Sequence, residues 1–128
     1  MGPARRVACR RDLLTKAQRG EPQQLRFEAQ LLSLGDQAGL LALTHEVFSA
    51  YQLWAEQALG VPHLLVAAYT NGCESYVPTA EALAQGGYEG AGFPYDGAAL
   101  RYRYRVPLRP EAEQQIREAI LSLRRDRQ

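Results

Sequence analysis

Charged and apolar positions alternate at helical spacing from Ala4 to Arg19, with Val7, Leu13, Leu14 and Ala17 on one stripe, and the pattern stops at Gly20 with Pro22 beyond. This predicts an amphipathic surface helix. The period then shortens to two: Leu25, Phe27, Ala29 and Leu31 interleave with Arg26, Glu28 and Gln30, as in a strand with one buried face. Gly35-Asp36 can turn the chain into Ala38–Leu43, a continuous apolar run of the kind seen in strands covered on both faces, so the two segments predict a hairpin. Thr44 is suited to cap a helix from near Glu46 to Leu59, with Val47, Ala50, Tyr51, Trp54 and Ala58 on one face and Gly60 and Pro62 ending it. His63–Ala68 reads as another buried strand, Thr70-Asn71-Gly72 leaves regular structure, and Pro78-Thr79 opens a short helix ending at Gly86-Gly87.

The stretch from Gly90 to Gly97 is a glycine-rich turn region, and Leu100–Val106 alternates Arg101, Arg103 and Arg105 with Tyr102 and Tyr104 as an exposed or edge strand would. Pro110 opens a last helix whose early Glu111 and Glu113 and late Arg124, Arg125 and Arg127 complement its dipole, with Ile116, Ala119, Ile120 and Leu123 as the buried stripe. Strands interleaved with helices, without repeat or linker, predict one α/β domain over residues 1–128, a small mixed sheet with helices packed on it; α+β is the neighbouring alternative.

Composition narrows the class. Hydrophobic residues make up 46% of the 128 positions and charged residues 23%, ordinary for a soluble domain. No apolar run approaches the roughly 18–20 residues that cross a bilayer as a helix. Arg5, Arg6, Arg10 and Arg11 are not followed by the apolar stretch of about 7–15 residues that marks a secretory signal, so a cytoplasmic location is expected. Cys9 and Cys73 show neither CxxC nor Cys/His spacing and read as free thiols.

Net charge is only +1, but Phe27 to Leu100 holds eight acids and no Lys or Arg, while the rest carries fifteen bases against six acids. Solvated charge at both ends explains this segregation; so does a gathering of carboxylates for a cation, with basic ends packed around it or holding a partner.

Glu46 follows a buried strand, at the end of which α/β proteins usually place ligands, although a Glu opening a helix is equally a partner for the helix dipole. His45 and His63 lack the HExxH spacing that brings two imidazoles to one helix face, and both read as structural. The segment Asn71-Gly72-Cys73-Glu74-Ser75-Tyr76-Val77-Pro78-Thr79 sets a polar, aromatic-containing loop directly after a core strand and pins it with Pro78.

That segment, with Ala80-Glu81-Ala82 and Gly87-Tyr88-Glu89-Gly90 after it, resembles the neutral ceramidase family and its bacterial relatives; the similarity is best over residues 23–95 and weaker into the last helix. The matching features fall on Glu46, Asn71, Tyr76, Thr79, Tyr88 and Glu89. The resemblance implies the C-terminal half of a zinc-dependent amide hydrolase domain in which Glu46 and Tyr76 are metal ligands, joined in the family by two His from the other half. It further implies that Tyr88 stabilises the oxyanion at the scissile amide. Thr44-His45 stands where the family usually has Pro-Gly, Cys73 where ceramidases proper often have Tyr, and Gly86-Gly87 replaces a bulkier pair. Together with Pro78, these glycines are closer to the bacterial relatives than to ceramidases proper.

The family's His ligands and catalytic Ser have no counterpart in these residues. The expectation is therefore a partial domain, inactive until a complementary N-terminal chain or a second copy completes the zinc site. The contrasting expectation is a non-catalytic module whose Arg-rich helix and Arg-Tyr strand engage an acidic partner or nucleic acid. The near-neutral net charge and the single Lys, Lys16, argue against this binding module, and nucleic acid is the less expected partner.

Overall fold

The hairpin and the run after it build a mixed three-stranded sheet. In the computed structural model, which describes residues 11, 14–21, 24–90 and 108–125, β1 (Ala29–Leu34) lies antiparallel to β2 (Ala38–Leu43), and β2 lies parallel to β4 (His63–Ala67), in the order β1-β2-β4. Gly35, at φ 61°, makes the tight turn between β1 and β2. A second, two-stranded parallel ladder pairs β3 (Glu46–Val47) with β5 (Tyr76–Val77). Helix α1 (Ser49–Leu59) connects the two ladders, α2 (Ala80–Gln85) and the single turn α3 (Gly87–Gly90) follow β5, and α4 (Glu111–Arg125) closes the fold. The architecture is α/β, with helices packed on a small mixed sheet.

Period two decides which side of the sheet is dry. Leu41, Leu43 and Leu64 point into a core completed by Tyr51, Ala55 and Leu59 of α1, Val61, Val77, and Ile116 and Ile120 of α4. Leu25, Phe27, Ala29 and Leu31 pack around its edge, the face expected from their alternation. Each fully buried large side chain here contributes roughly 1.5–3 kcal/mol.

The opposite face is covered unevenly: β2, expected to be covered on both sides, has no exposed residue, but its neighbours do. Leu32, Leu40 and Leu65 are register partners across the three strands, and Leu32 and Leu65 are 47% and 71% exposed. An apolar run alone does not reveal how many layers cover it. For the same reason β4, expected to be buried, is a half-exposed strand.

The helix expected from Glu46 begins instead at Ser49, after Phe48, and no side chain caps it. Thr44 is not its cap: its Oγ1 accepts the Glu28 N–H at 2.9 Å and donates to the Glu28 carbonyl at 3.3 Å, stitching β2 to the segment before β1. Glu46 is thereby a strand residue, not a partner for a helix dipole. Gly60 does end α1 in the left-handed region, at φ 62°, and Thr79 caps α2 through its Oγ1 on the Ala82 N–H at 3.2 Å.

Helices α1, α2 and α4 meet at one polar junction. Glu113 accepts the Ala80 N–H at 2.6 Å and pairs with Arg117, whose guanidinium lies 4.8 Å above the Trp54 ring centroid. Beside it the buried Tyr51 hydroxyl donates to the Pro78 carbonyl at 3.1 Å. Of the stripe expected on α4, Ile116 and Ile120 are buried and Leu123 packs on the core, while Ala119 is exposed. Residues 14–18 are helical and end at Gly20, but Leu14 and Ala17 are exposed. The expected turn region after Gly90, the Arg-Tyr strand and Cys9 lie outside the described residues. Among the described residues no helix is long and apolar enough to cross a membrane.

Candidate functional site

Strands β2 and β4 run parallel, so the segments that follow them emerge at the same end of the sheet, where α/β folds gather ligand-binding groups. The first carries His45 and Glu46, the second Tyr69 to Ser75. His45, Tyr69 and Asn71 all adopt the left-handed conformation, at φ 68°, 60° and 62°. For a side chain other than glycine this costs about 1–2 kcal/mol, and it persists where surrounding contacts over-determine it.

Those contacts converge on His45, which is only 4% exposed. Its N–H donates to the Gly72 carbonyl at 2.8 Å, and its carbonyl accepts the Tyr69 N–H at 2.9 Å. Its ring Nδ1 accepts the Glu74 N–H at 3.1 Å, which leaves Nε2 to carry the proton and donate to the Arg26 carbonyl at 2.8 Å. The structural role expected of this imidazole is thus to tie three segments together. His63 stands exposed at the start of β4.

With the bend held, Glu46 N–H donates to the Ser75 carbonyl at 3.1 Å and Glu46 comes into register with Tyr76. Each oxygen of the Glu46 carboxylate has its own donor: the Tyr69 hydroxyl reaches Oε2 at 2.8 Å, and the Cys73 thiol reaches Oε1 at 3.6 Å. Tyr76, its register partner in β5, lies beside this carboxylate. Tyr88, on α3, meets the Tyr76 ring edge-on, with centroids 5.9 Å apart and planes at 71°. A Cβ on Gly90 would run into the Ala82 carbonyl oxygen, so glycine there allows the turn carrying Tyr88 to press against α2.

The electrostatics follow from one carboxylate among protic groups. The Tyr69 hydroxyl is pushed up to about 12, first by its hydrogen bond to Glu46. The Cys73 thiol and the Tyr76 phenol are both raised, first by burial and then by the Glu46 charge. A second negative charge beside Glu46 is unfavourable, and a bound cation would reverse that balance.

Of the residues singled out from sequence, Glu46 and Tyr76 are brought together and Tyr88 touches the pair through Tyr76. Cys73, read as a plain free thiol, joins them. Tyr69 was missed; its only sequence signal is an aromatic placed directly after a core strand. Among the described residues no three His, Cys, Asp or Glu side chains converge. Carboxylate oxygen and thiol sulfur are both donors that zinc accepts. The chain matches no family model, no curated protein and no solved structure.

Proposed function

We propose that this chain supplies part of the catalytic site of a zinc-dependent amide hydrolase of the neutral ceramidase type. The observation that carries the reading is the register pairing of Glu46 with Tyr76, two residues separated by a helix and a strand in sequence and brought side by side in the parallel ladder. Glu46 and Tyr76 would be metal ligands, and Tyr88, edge-on to Tyr76, would offer its hydroxyl to the oxyanion formed at the amide carbonyl. Zinc, when bound, supplies Lewis acidity and an activated water. His45 holds the bend that presents Glu46, and the Tyr69 hydroxyl orients the carboxylate. The family's two His ligands and catalytic Ser would come from outside these 128 residues, from a complementary chain or a second copy.

Metal content of the purified protein tests this directly. Stoichiometric zinc that is lost in Glu46→Ala and in Tyr76→Phe is the expected result. Wild-type protein that takes up no zinc, or variants that retain it fully, would overturn the reading.

A further inference from the structure

We propose that the sheet face carrying Leu32, Leu34, Leu40 and Leu65 is a self-association surface, which stacks on the same face of a second copy of this chain. The inference stands apart from the metal-site reading, since it uses no residue of the Glu46 cluster.

Alternation along each strand decides which side chains share this face. Leu32, Leu40 and Leu65 are aligned across β1, β2 and β4, and Leu34 follows two positions beyond Leu32, opposite Ala38. A sheet covered on one side ordinarily turns polar residues to the other. Here the three strands contain no Asp, Glu, Lys or Arg at all. Apart from Gln30 and His63, near the ends of the two edge strands, every side chain that alternation turns to this face is Leu or Ala. An occupant that relies on charge finds nothing to pair with, whereas a second copy brings an equally uncharged face.

The relief of the face fits the same occupant. Leu32 and Leu65 are exposed on the outer strands, while Ala38 and Leu40 on the central strand are half-buried. Two leucine ridges therefore flank a floor along β2, and the trough beside Leu34, Leu40, Pro62 and Leu65 has a volume of about 960 Å³. Neighbouring strands lie about 4.8 Å apart, so ridge and floor have the same width. A two-fold axis can then set a ridge of each copy into the floor of the other, as the inner faces of two stacked sheets interdigitate. Glu56 and His63 lie at the margin of the trough and give the apolar centre a polar rim.

Area sets the strength of the contact. Strands of five or six residues, rising about 3.3 Å per residue and lying three abreast, cover on the order of 300 Å². Uncovered apolar surface of that size commonly marks an interaction site, but it falls short of the roughly 800 Å² per partner found in tight complexes. The pairing is therefore reversible, and the monomer prevails in dilute solution.

Sedimentation equilibrium of the full chain from micromolar to millimolar concentration, under reducing conditions so that no thiol cross-links the copies, tests this. The expected result is a shift from monomer to dimer as concentration rises. Leu65→Arg sets an unpaired charge in the contact and should weaken dimerisation at least about 10-fold, as should Leu34→Arg. Leu53→Arg, at a leucine 63% exposed on α1 across the sheet, should leave it unchanged. Far-ultraviolet circular dichroism checks that the three variants are folded alike. Wild type that stays monomeric throughout would overturn the proposal and leave the face to a different partner. A dimer indifferent to both Leu65→Arg and Leu34→Arg, or weakened as much by Leu53→Arg, would overturn the assignment of this face.

Discussion

The imidazole of His45 accepts the backbone N–H of Glu74 while donating to the carbonyl of Arg26, so one buried ring joins the segment before β1 to the loop that carries Cys73. The residue that makes this bridge is itself in the left-handed conformation.

Two substitutions separate bridge from strain. His45→Leu leaves a part-buried donor and acceptor without their ring partner and keeps a branched side chain at positive φ, for an expected loss of about 2–4 kcal/mol. His45→Gly loses the same ring bonds but relieves the strain and admits water, and should be about 1–2 kcal/mol less damaging. Urea midpoints of the two variants give the comparison. Equal midpoints would mean that the conformation at residue 45 carries no strain.

In metal-free protein, Glu46→Gln should speed alkylation of Cys73 severalfold at pH 8. Burial, the larger cause of the raised thiol pKa, remains, but the neighbouring charge is removed and more thiolate forms. Rates with iodoacetamide in a Cys9→Ser background measure this, and a slower rate in the variant would contradict the electrostatic picture.

Tyr51 gives the fold an alkaline limit. Burial, reinforced by the Glu113 charge, raises its phenol well above the ordinary value of about 10. The unfolded chain loses that proton first, so Tyr51 contributes its full stability below pH of about 10 and loses it as pH rises beyond that value towards the folded pKa. Unfolding free energy should fall above pH of about 10 in wild type and fall less steeply in Tyr51→Phe, which at neutral pH should cost about 1 kcal/mol for the lost bond to Pro78. Denaturant titrations at neutral and alkaline pH would show parallel slopes if burial of this phenol were unimportant.

The two faces of the sheet should respond differently to truncation. Leu41→Ala empties part of a fully buried site and should cost about 2–5 kcal/mol. Leu65→Ala, on a side chain 71% exposed, should change stability by no more than about 0.5 kcal/mol. Thermal or urea unfolding of the pair checks the contrast, and a large loss in Leu65→Ala would show that this face is covered in solution.

The hairpin, the end of α1 at Gly60, the Thr79 cap and the Ile116–Ile120 stripe were legible because each depends on residues a few positions apart. The start of α1 was not. Thr44 is a good capping residue by type, yet its hydroxyl finds the backbone of Glu28, sixteen positions away, and that contact carries the chain through β3 before the helix can begin.

The same division runs through the site. The sequence by itself determined which groups are available and which loop carries them: a carboxylate after one strand, and a thiol and phenols after the next. Only the tertiary structure decided that Tyr69 and Cys73 close on Glu46 from 23 and 27 positions away. It also decided that the central β2 has no exposed residue while Leu32 and Leu65 on its two neighbours are exposed. Side-chain periodicity records the local geometry of the backbone, whereas contacts between distant segments depend on how strands pair and how a left-handed bend is held, and no local pattern encodes those.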